Sequence, residues 1–276
     1  MRTIRYIQRF SKTERLFHLF LMLTFLFQTV TGFGRLYGLT PFGSAVIKLF
    51  GGFETTALLH QAAGILMTAG FLLHVGFLLA KIKPGIIREI LTGPDSIVPN
   101  MKDARDMRQN LLHLFGKAPA PRFERWTYWE KFDYWAVFWG MPLLVITGFM
   151  LIFPLHVSRV LPGWTLNIAG YLHRAEAVLA VSYIFIVHFF IGHLRPMTFP
   201  MNEAMFSGNV EIEEVELEKP EWVDRLSREG RLTHLSARQP SSWFRAVYLI
   251  YGFAAVGLGV YLLVNGIYFN SHIRLH

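Results

Sequence analysis

The sequence contains no cysteine among its 276 residues. Disulfide bonds, iron–sulfur clusters, thiolate zinc sites and covalently attached c-type haem all require cysteine, so each of these is excluded. Any metal or metal-containing cofactor must therefore be held by histidine, methionine or carboxylate ligands. The chain offers eleven histidines for that purpose.

Charged residues are also scarce. They make up 17% of the chain, against about 25% in a typical soluble domain, while 53% of the residues are hydrophobic and the mean hydropathy is +0.35. The apolar residues are concentrated in long runs, which is the pattern of an integral membrane protein. The basic N-terminal segment MRTIRYIQRFSKTERLF lacks a small-residue cleavage site, so it predicts a retained cytoplasmic tail and not a signal peptide.

Five apolar stretches are long enough to cross a hydrocarbon core, which requires roughly 20 helical residues. They predict an all-α integral membrane fold, with spans at about residues 16–33, 56–80, 134–155, 166–191 and 246–269. The domain organisation that we expect is a four-helix bundle at 1–200 with a cytoplasmic loop at 82–130, a cytoplasmic segment at 201–242, and a fifth transmembrane helix with a short periplasmic tail at 243–276.

The number of basic residues alternates between high and low in successive segments outside the predicted spans. Five lysines and arginines precede the first span, and the segments after successive spans carry two, ten, one, seven and one. The more basic segments of a multi-pass protein face the cytoplasm, so we expect the N-terminus inside and the C-terminus outside. The net charge of +8 follows from this bias and needs no nucleic-acid partner.

The first four spans contain an internal repeat. Thr31-Gly32-Phe33 ends the first span, and Thr147-Gly148-Phe149 recurs in the third. Leu59-His60 begins the second span, and Leu172-His173 begins the fourth. The two halves therefore predict two copies of one helical hairpin, with the fifth helix as an appendage without a counterpart.

Histidines inside a membrane span are costly and usually functional. The second span holds His60 and His74, and the fourth holds His173 and His188, at separations of 14 and 15 residues. These separations put each pair on one helix face with about 21 to 22 Å between its members. Pairing His60 with His173 and His74 with His188 gives two stacked sites, and two facing imidazoles are the axial ligands of a b-type haem.

Two further histidines lie at the inner ends of spans. His18 begins the first span and His193 ends the fourth. His18 could replace His74 as the partner of His188, or it could pair with His193 on a third haem. In an α-helix His193 lies about 140° round from His188, so we do not expect these two to share a haem. A transporter with histidine proton relays, or an anchor subunit, is the alternative interpretation.

These residues resemble the four-helix cytochrome b superfamily that includes the formate dehydrogenase gamma subunit, the nickel–iron hydrogenase cytochrome b and the thiosulfate reductase cytochrome b. The resemblance covers about residues 10–200. It depends on the following residues: Arg15 with His18, Thr31 with Gly32, His60 with Gly64, and His173 with His188.

The resemblance leaves the inner ligands open. The formate dehydrogenase type implies that His18 pairs with His188. The spacing of 14 and 15 residues is instead similar to the quinol-oxidising cytochrome b of bc complexes, which implies His74. The runs YWEKFDYWAVFWG and HFFIGHLRPMTFP are similar to a bacterial branch found beside multihaem cytochromes c. The second run contains both His188 and His193, which favours a third haem.

The function implied by the resemblance is electron transfer in a respiratory chain of the bacterial inner membrane. The chain would be a subunit of a quinone-linked oxidoreductase with two or three b-type haems and no catalytic residues of its own. It would connect menaquinone or ubiquinone, near the inner haem, with a periplasmic multihaem cytochrome c or a molybdenum or nickel enzyme. Arg174 and Glu176, beside His173, are candidates for tuning the haem potential.

Overall fold

The computed structural model describes residues 4–83, 85–195 and 198–269. Arg274 of the predicted periplasmic tail and Pro196 of the run HFFIGHLRPMTFP lie outside these residues. The described chain is predominantly helical and confirms the prediction of transmembrane helices. Five helical segments are long and apolar enough to span a membrane: Lys12–Leu36, Phe53–Ala80, Tyr128–Ile152, Trp164–Leu194 and Ser242–Tyr268.

The described helices, in chain order, are α1 (Lys12–Leu36), α2 (Pro41–Leu49), α3 (Phe53–Ala80), α4 (Ile87–Thr92), α5 (Met101–Leu114), α6 (Tyr128–Ile152), α7 (Pro154–Val157), α8 (Trp164–Ser182), α9 (Ala204–Ser207), α10 (Ile212–Glu218), α11 (Pro220–Arg228) and α12 (Ser242–Tyr268). Two π-helical segments, Tyr183–His188 and Phe190–Leu194, continue α8, and Thr233–Leu235 form a 3-10 turn. The described strands are β1 (Tyr6–Gln8), β2 (Asn209–Glu211) and β3 (Ser236–Ala237), which form an antiparallel sheet in the order β2-β1-β3.

Two prolines set helix boundaries that differ from the predicted spans. The third span was predicted to reach residue 155, but α6 ends at Ile152 and α7 begins at Pro154. Proline disfavours the helical conformation in the residue before it, and Phe153 has φ −117° and ψ 52°. The loop after α1 contains the unpredicted helix α2. Pro41 occupies its first turn, and the Thr40 side chain caps it by accepting the Gly43 N–H at 3.1 Å.

The packing divides the chain into two compact units. We call the first the bundle unit; it contains the described residues of Leu16–His74, Trp139–Met201 and Val247–His276. We call the second the loop unit; it contains the described residues of Met1–Arg15, Val75–Phe138 and Asn202–Ala246. Each unit draws on segments far apart in sequence, so this division differs from the three consecutive segments predicted above.

The fifth membrane helix, α12, packs into the core of the bundle unit. Leu262 of α12 is 1% exposed and belongs to the same buried cluster as Phe185 and Phe189. Gly259 allows this close packing, because a Cβ there would lie 2.7 Å from Phe189 and 2.8 Å from Phe185. The helix that has no counterpart in the repeat is therefore part of the core of the bundle unit.

The loop unit has a hydrophobic core of its own. Ile7 on β1 and Leu226 on α11 are fully buried, and they pack together with Trp222. The acidic run 210–218 begins in β2, but Ile212–Glu218 form α10. The apolar–acidic alternation stops at two successive glutamates, after which Val215 lies three residues from Ile212. That spacing fits one face of a helix, and Val215 is buried.

A single carboxylate joins three parts of the loop unit. Glu130, in the first turn of α6, forms ion pairs with Arg9 and with Lys219, whose Nζ lies 2.8 Å from Glu130 Oε2. Both cations are buried, and Lys219 is 0% exposed. Burial, and then the nearby charge of Arg9, lowers the pKa of Lys219 below its ordinary value. The two buried cations therefore share this anion, and Lys219 has a second, weaker partner in Glu218, at 3.6 Å.

Replacing Glu130 with Gln should destabilise the loop unit, because Arg9 and Lys219 would remain buried without their shared anion. We expect a loss of roughly 3–5 kcal/mol, the usual cost of breaking a buried ion pair from one side. Thermal unfolding of the detergent-solubilised protein measures it. Asp224→Asn is the control, since its pair with Arg122 is exposed (62% and 57%) and should contribute about 1 kcal/mol or less. Equal losses in the two variants would contradict this account.

Candidate functional site

His60 on α3 and His173 on α8 face each other in the bundle unit, with ring centroids 6.4 Å apart and ring planes crossing at 84°. A metal–imidazole bond is about 2.0 Å long, and the ring centre lies about 1.2 Å behind the bonding nitrogen. Two imidazoles on opposite sides of one iron therefore have centres about 6.4 Å apart. The spacing of His60 and His173 fits a single metal held between them.

A threonine from the preceding membrane-spanning helix, α1 for His60 and α6 for His173, orients each ring of this pair. Thr31 Oγ1 lies 2.9 Å from His60 Nδ1, and Thr147 Oγ1 lies 3.0 Å from His173 Nδ1. Each hydroxyl donates its one hydrogen to the carbonyl four residues earlier in its own helix, at 2.8 Å for Thr31 and 2.6 Å for Thr147. The hydroxyl oxygen is therefore left to accept the Nδ1–H of the histidine. Each ring then presents an unprotonated Nε2, which is the form that binds a metal.

The glycine after each threonine makes room for the ring. A Cβ on Gly32 would lie 3.2 Å from His60 Cε1, and one on Gly148 would lie 3.3 Å from His173 Cε1. Any larger residue would press on the imidazole. The Thr-Gly repeat seen in the sequence therefore corresponds to two equivalent halves of one site, each formed by a Thr-Gly helix and the histidine of the next helix.

A second histidine pair lies toward the other end of α1. His18 on α1 and His188 in the π-helical segment have ring centroids 6.4 Å apart, with planes inclined at 40°. This spacing equals that of the first pair and fits a bis-histidine metal in the same way. His18 precedes Thr31 by 13 residues in one continuous helix, so the two pairs are separated by about 20 Å along its axis.

The model of the family described as prokaryotic cytochrome b561 matches residues 9–208, which include both histidine pairs and cover well over half of the chain. The chain belongs to the prokaryotic cytochrome b561 family. No curated protein matches the chain. Membership in this family, together with the five apolar helices, makes it a multi-pass membrane protein that binds haem b and transfers electrons.

The donor set of this cytochrome suits that cofactor. Neutral imidazoles are common axial ligands of haem iron, and the two pairs have the spacing that a bis-histidine haem requires. Among the described residues there is no cluster of three or more His, Asp or Glu side chains suited to an isolated metal ion. His60 with His173, and His18 with His188, are thus paired as a bis-histidine haem requires.

His74 has a different neighbour from the one that helix spacing suggested. Its ring lies edge-on against Phe17 of α1, at a centroid distance of 4.7 Å. In the described residues the ring of His188 meets that of His18. Of the two inner partners considered from the sequence, His18 lies at the spacing of a shared iron with His188.

The π-helical backbone changes the position of His193. The expected offset of about 140° from His188 assumed an α-helix, but Tyr183–His188 and Phe190–Leu194 are π-helical. A π-helix bonds residue i to residue i+5, so residues five apart lie about one turn apart on a similar face. His193 is accordingly close enough to His18 and His188 to interact electrostatically with both. Its Nδ1 is buried and has no hydrogen-bond partner among the residues that the structure describes.

The two charged residues beside His173 point to other groups. Arg174 Nε donates to the Gly170 carbonyl at 3.0 Å, within its own helix. The Glu176 carboxylate packs against α6 at Gly140, where a Cβ would lie only 2.7 Å from Glu176 Oε1. Sequence reasoning instead missed the role of Thr31 and Thr147. Their recurrence before a glycine revealed the repeat. The histidine that begins the next span in each half was the signal that could have identified them as the hydrogen-bond partners of His60 and His173.

Replacing Thr31 or Thr147 with Val should weaken haem binding, because the Nδ1–H of the ligand ring loses its acceptor and the ring loses its fixed orientation. Loss of such a partner typically reduces metal affinity by about 10–100-fold. Haem content per chain after purification, together with the low-spin EPR signal, measures the effect. Thr24→Val is a matched control, since the buried Thr24 hydroxyl donates to the Phe20 carbonyl within α1. Unchanged haem content and an unchanged EPR signal in the Thr31 and Thr147 variants would contradict the prediction.

Proposed function

We propose that this cytochrome is the membrane subunit of a quinone-linked oxidoreductase, and that it carries electrons through two b-type haems between the quinone pool and a periplasmic redox partner. The observation that carries the proposal is the pair of histidine sites with the same 6.4 Å ring spacing. Two sites about 20 Å apart along one transmembrane helix are suited to moving electrons across the bilayer.

The ligands that we propose are His60 and His173 for the outer haem and His18 and His188 for the inner haem. The hydrogen bonds that Thr31 and Thr147 accept from the two rings support the outer assignment, since they leave both Nε2 atoms free for iron. The ring spacing supports the inner assignment. His74 then packs near the inner site without ligating it. His193 remains the candidate ligand of a third haem. The two haems proposed here do not need it, because each already has two histidines.

The division of work between cofactor and protein follows from these contacts. Haem b supplies reversible one-electron chemistry when bound. The chain holds the two histidine pairs at fixed depths, selects the tautomer of the outer ligands and surrounds both sites with apolar side chains. Burial and nearby charges then set the potential of each site.

The orientation that we propose follows from the distribution of lysine and arginine. The N-terminus and the segments 82–130 and 201–242 would face the cytoplasm, and the segments 34–55 and 156–165 would face the periplasm. Menaquinone or ubiquinone would react near the inner haem. The periplasmic loops are short and carry exposed apolar residues, including Leu39, Leu155 and Val160, which suits a multihaem cytochrome c or a molybdenum or nickel enzyme covering them.

The alternative function, a transporter with histidine proton relays or a non-redox anchor, has less support. Membership in the cytochrome b561 family favours electron transfer. A transporter of this type would also be expected to have discontinuous helices whose ends meet at mid-membrane. The proposed ligand His60 lies instead in the uninterrupted 28-residue helix α3.

The purified protein should show a b-type α-band in its reduced-minus-oxidised spectrum and about two haems per chain by the pyridine haemochrome assay, one for each bis-histidine pair. His18→Leu should lose one haem, because it removes an inner ligand. His74→Leu and His193→Leu are matched controls that should keep both. Protein without haem, made under haem-replete conditions, would overturn the proposed function. A third haem that disappears in His193→Leu would instead assign His193 as a ligand.

Addition of a reduced menaquinone or ubiquinone analogue should reduce the haems of the wild-type protein within the dead time of manual mixing. In His18→Leu the rate at which the quinol analogue reduces the remaining haem should fall at least about tenfold, because the site beside the quinone would lack its haem. Stopped-flow absorbance at the α-band measures both rates. Equal rates in the two proteins would contradict a quinone site at the inner haem.

A further inference from the structure

Arg35 lies in the last turn of α1, one turn beyond the threonine that contacts His60. It follows Thr31 by four residues, so the two side chains share one face of the helix and lie one turn apart. The Arg35 guanidinium sits over the ring of Phe53, 5.6 Å from its centroid. Phe53 precedes His60 by seven residues on α3, which is two turns on the same face. Arg35 therefore occupies the gap between α1 and α3, on the outer side of His60.

The Arg35 guanidinium has no carboxylate partner among the described residues. It interacts electrostatically with both His60 and His173. Its Nε is buried and has no hydrogen-bond partner in the described chain. A buried N–H of a charged group without a partner costs more than a neutral one. The geometry thus leaves an arginine facing a site that offers it no carboxylate from the protein.

We propose that Arg35 binds a carboxylate group of the haem held by His60 and His173. The proposal rests on the haem assignment made above for that pair. Haem b carries two carboxylate side chains at one edge of the ring. The planar guanidinium matches a carboxylate with two parallel hydrogen bonds, so it both orients and neutralises the group that it binds.

The internal repeat makes this assignment specific to one half of the site. Thr31 and Thr147 are equivalent, but the residue four positions after Thr147 is Leu151. The second hairpin therefore has no cation at the position that corresponds to Arg35. At this position a haem held between His60 and His173 would meet a positive charge from α1 and none from α6, and this difference would set which way its carboxylate edge is turned.

A cation held close to a redox centre favours its reduced state, because reduction adds negative charge. Arg35→Gln should therefore lower the midpoint potential of the outer haem and leave that of the inner haem unchanged. Arg35→Lys keeps the charge but loses the two parallel hydrogen bonds, so its potential should fall between those of the wild type and Arg35→Gln.

The test is an optical redox titration of the full-length protein in detergent, with haem per chain determined for every variant. In the His18→Leu background only the outer haem should remain, so its potential can be read alone; fits of two components in the wild-type background give the same information if that variant is poorly folded. Arg174→Gln is the control. It removes the same charge beside His173, but its guanidinium is bonded to the Gly170 carbonyl.

A lower outer potential in Arg35→Gln, with little change in Arg174→Gln, supports the proposal. So does loss of the outer haem in Arg35→Gln when Arg35→Lys retains it. Unchanged potentials at full haem content would overturn it, as would equal shifts in Arg35→Gln and Arg174→Gln, or loss of haem from both Arg35 variants. Absence of haem from the wild-type protein would instead count against the proposed function itself.

Discussion

The hydrogen bond between a threonine of one membrane-spanning helix and a histidine of the next membrane-spanning helix is the interaction on which the His60–His173 site depends. A histidine placed in an apolar bundle has two ring nitrogens and no water to satisfy either of them. Thr31 and Thr147 satisfy one nitrogen of each ring and, because their own hydrogens are committed to the helix backbone, they decide which nitrogen carries the proton. The other nitrogen is then available to a metal. One hydroxyl thus sets the protonation, the orientation and the ligand strength of each ring.

The two compact units solve the problem of polar groups in different ways. In the bundle unit the buried threonines donate their hydroxyl hydrogens to carbonyls of their own helices. A largely apolar interior can therefore include these hydroxyls at little cost in free energy. In the loop unit full charges are buried together, with Glu130 between Arg9 and Lys219. A buried ion pair adds little net stability but is damaging to break. It can therefore hold segments from distant parts of the chain in one arrangement.

Hydropathy and helical period were sufficient to predict the five spans, the repeated hairpin and the matched depths of His60 and His173. They could not choose between His18 and His74 as the neighbour of His188. That choice depends on how far each helix is rotated about its own axis, which is fixed by packing, as by Phe17 against His74. The same limitation applies to Arg35, which the sequence placed among the loop charges. The packing of the loop unit was not predicted because its contacts join residues far apart in sequence, 121 positions for Arg9 and Glu130 and 89 for Glu130 and Lys219.

The π-helical continuation of α8 has a consequence for comparing this chain with its relatives. A π turn holds one more residue than the α-helical turn that it replaces, so it is the way a continuous helix accommodates a one-residue insertion. Residues after Tyr183 are therefore out of step with a relative whose corresponding helix is α-helical throughout. An alignment without gaps would match His193 to the wrong column. Its structural counterpart would be found only by allowing a gap between Tyr183 and Leu194.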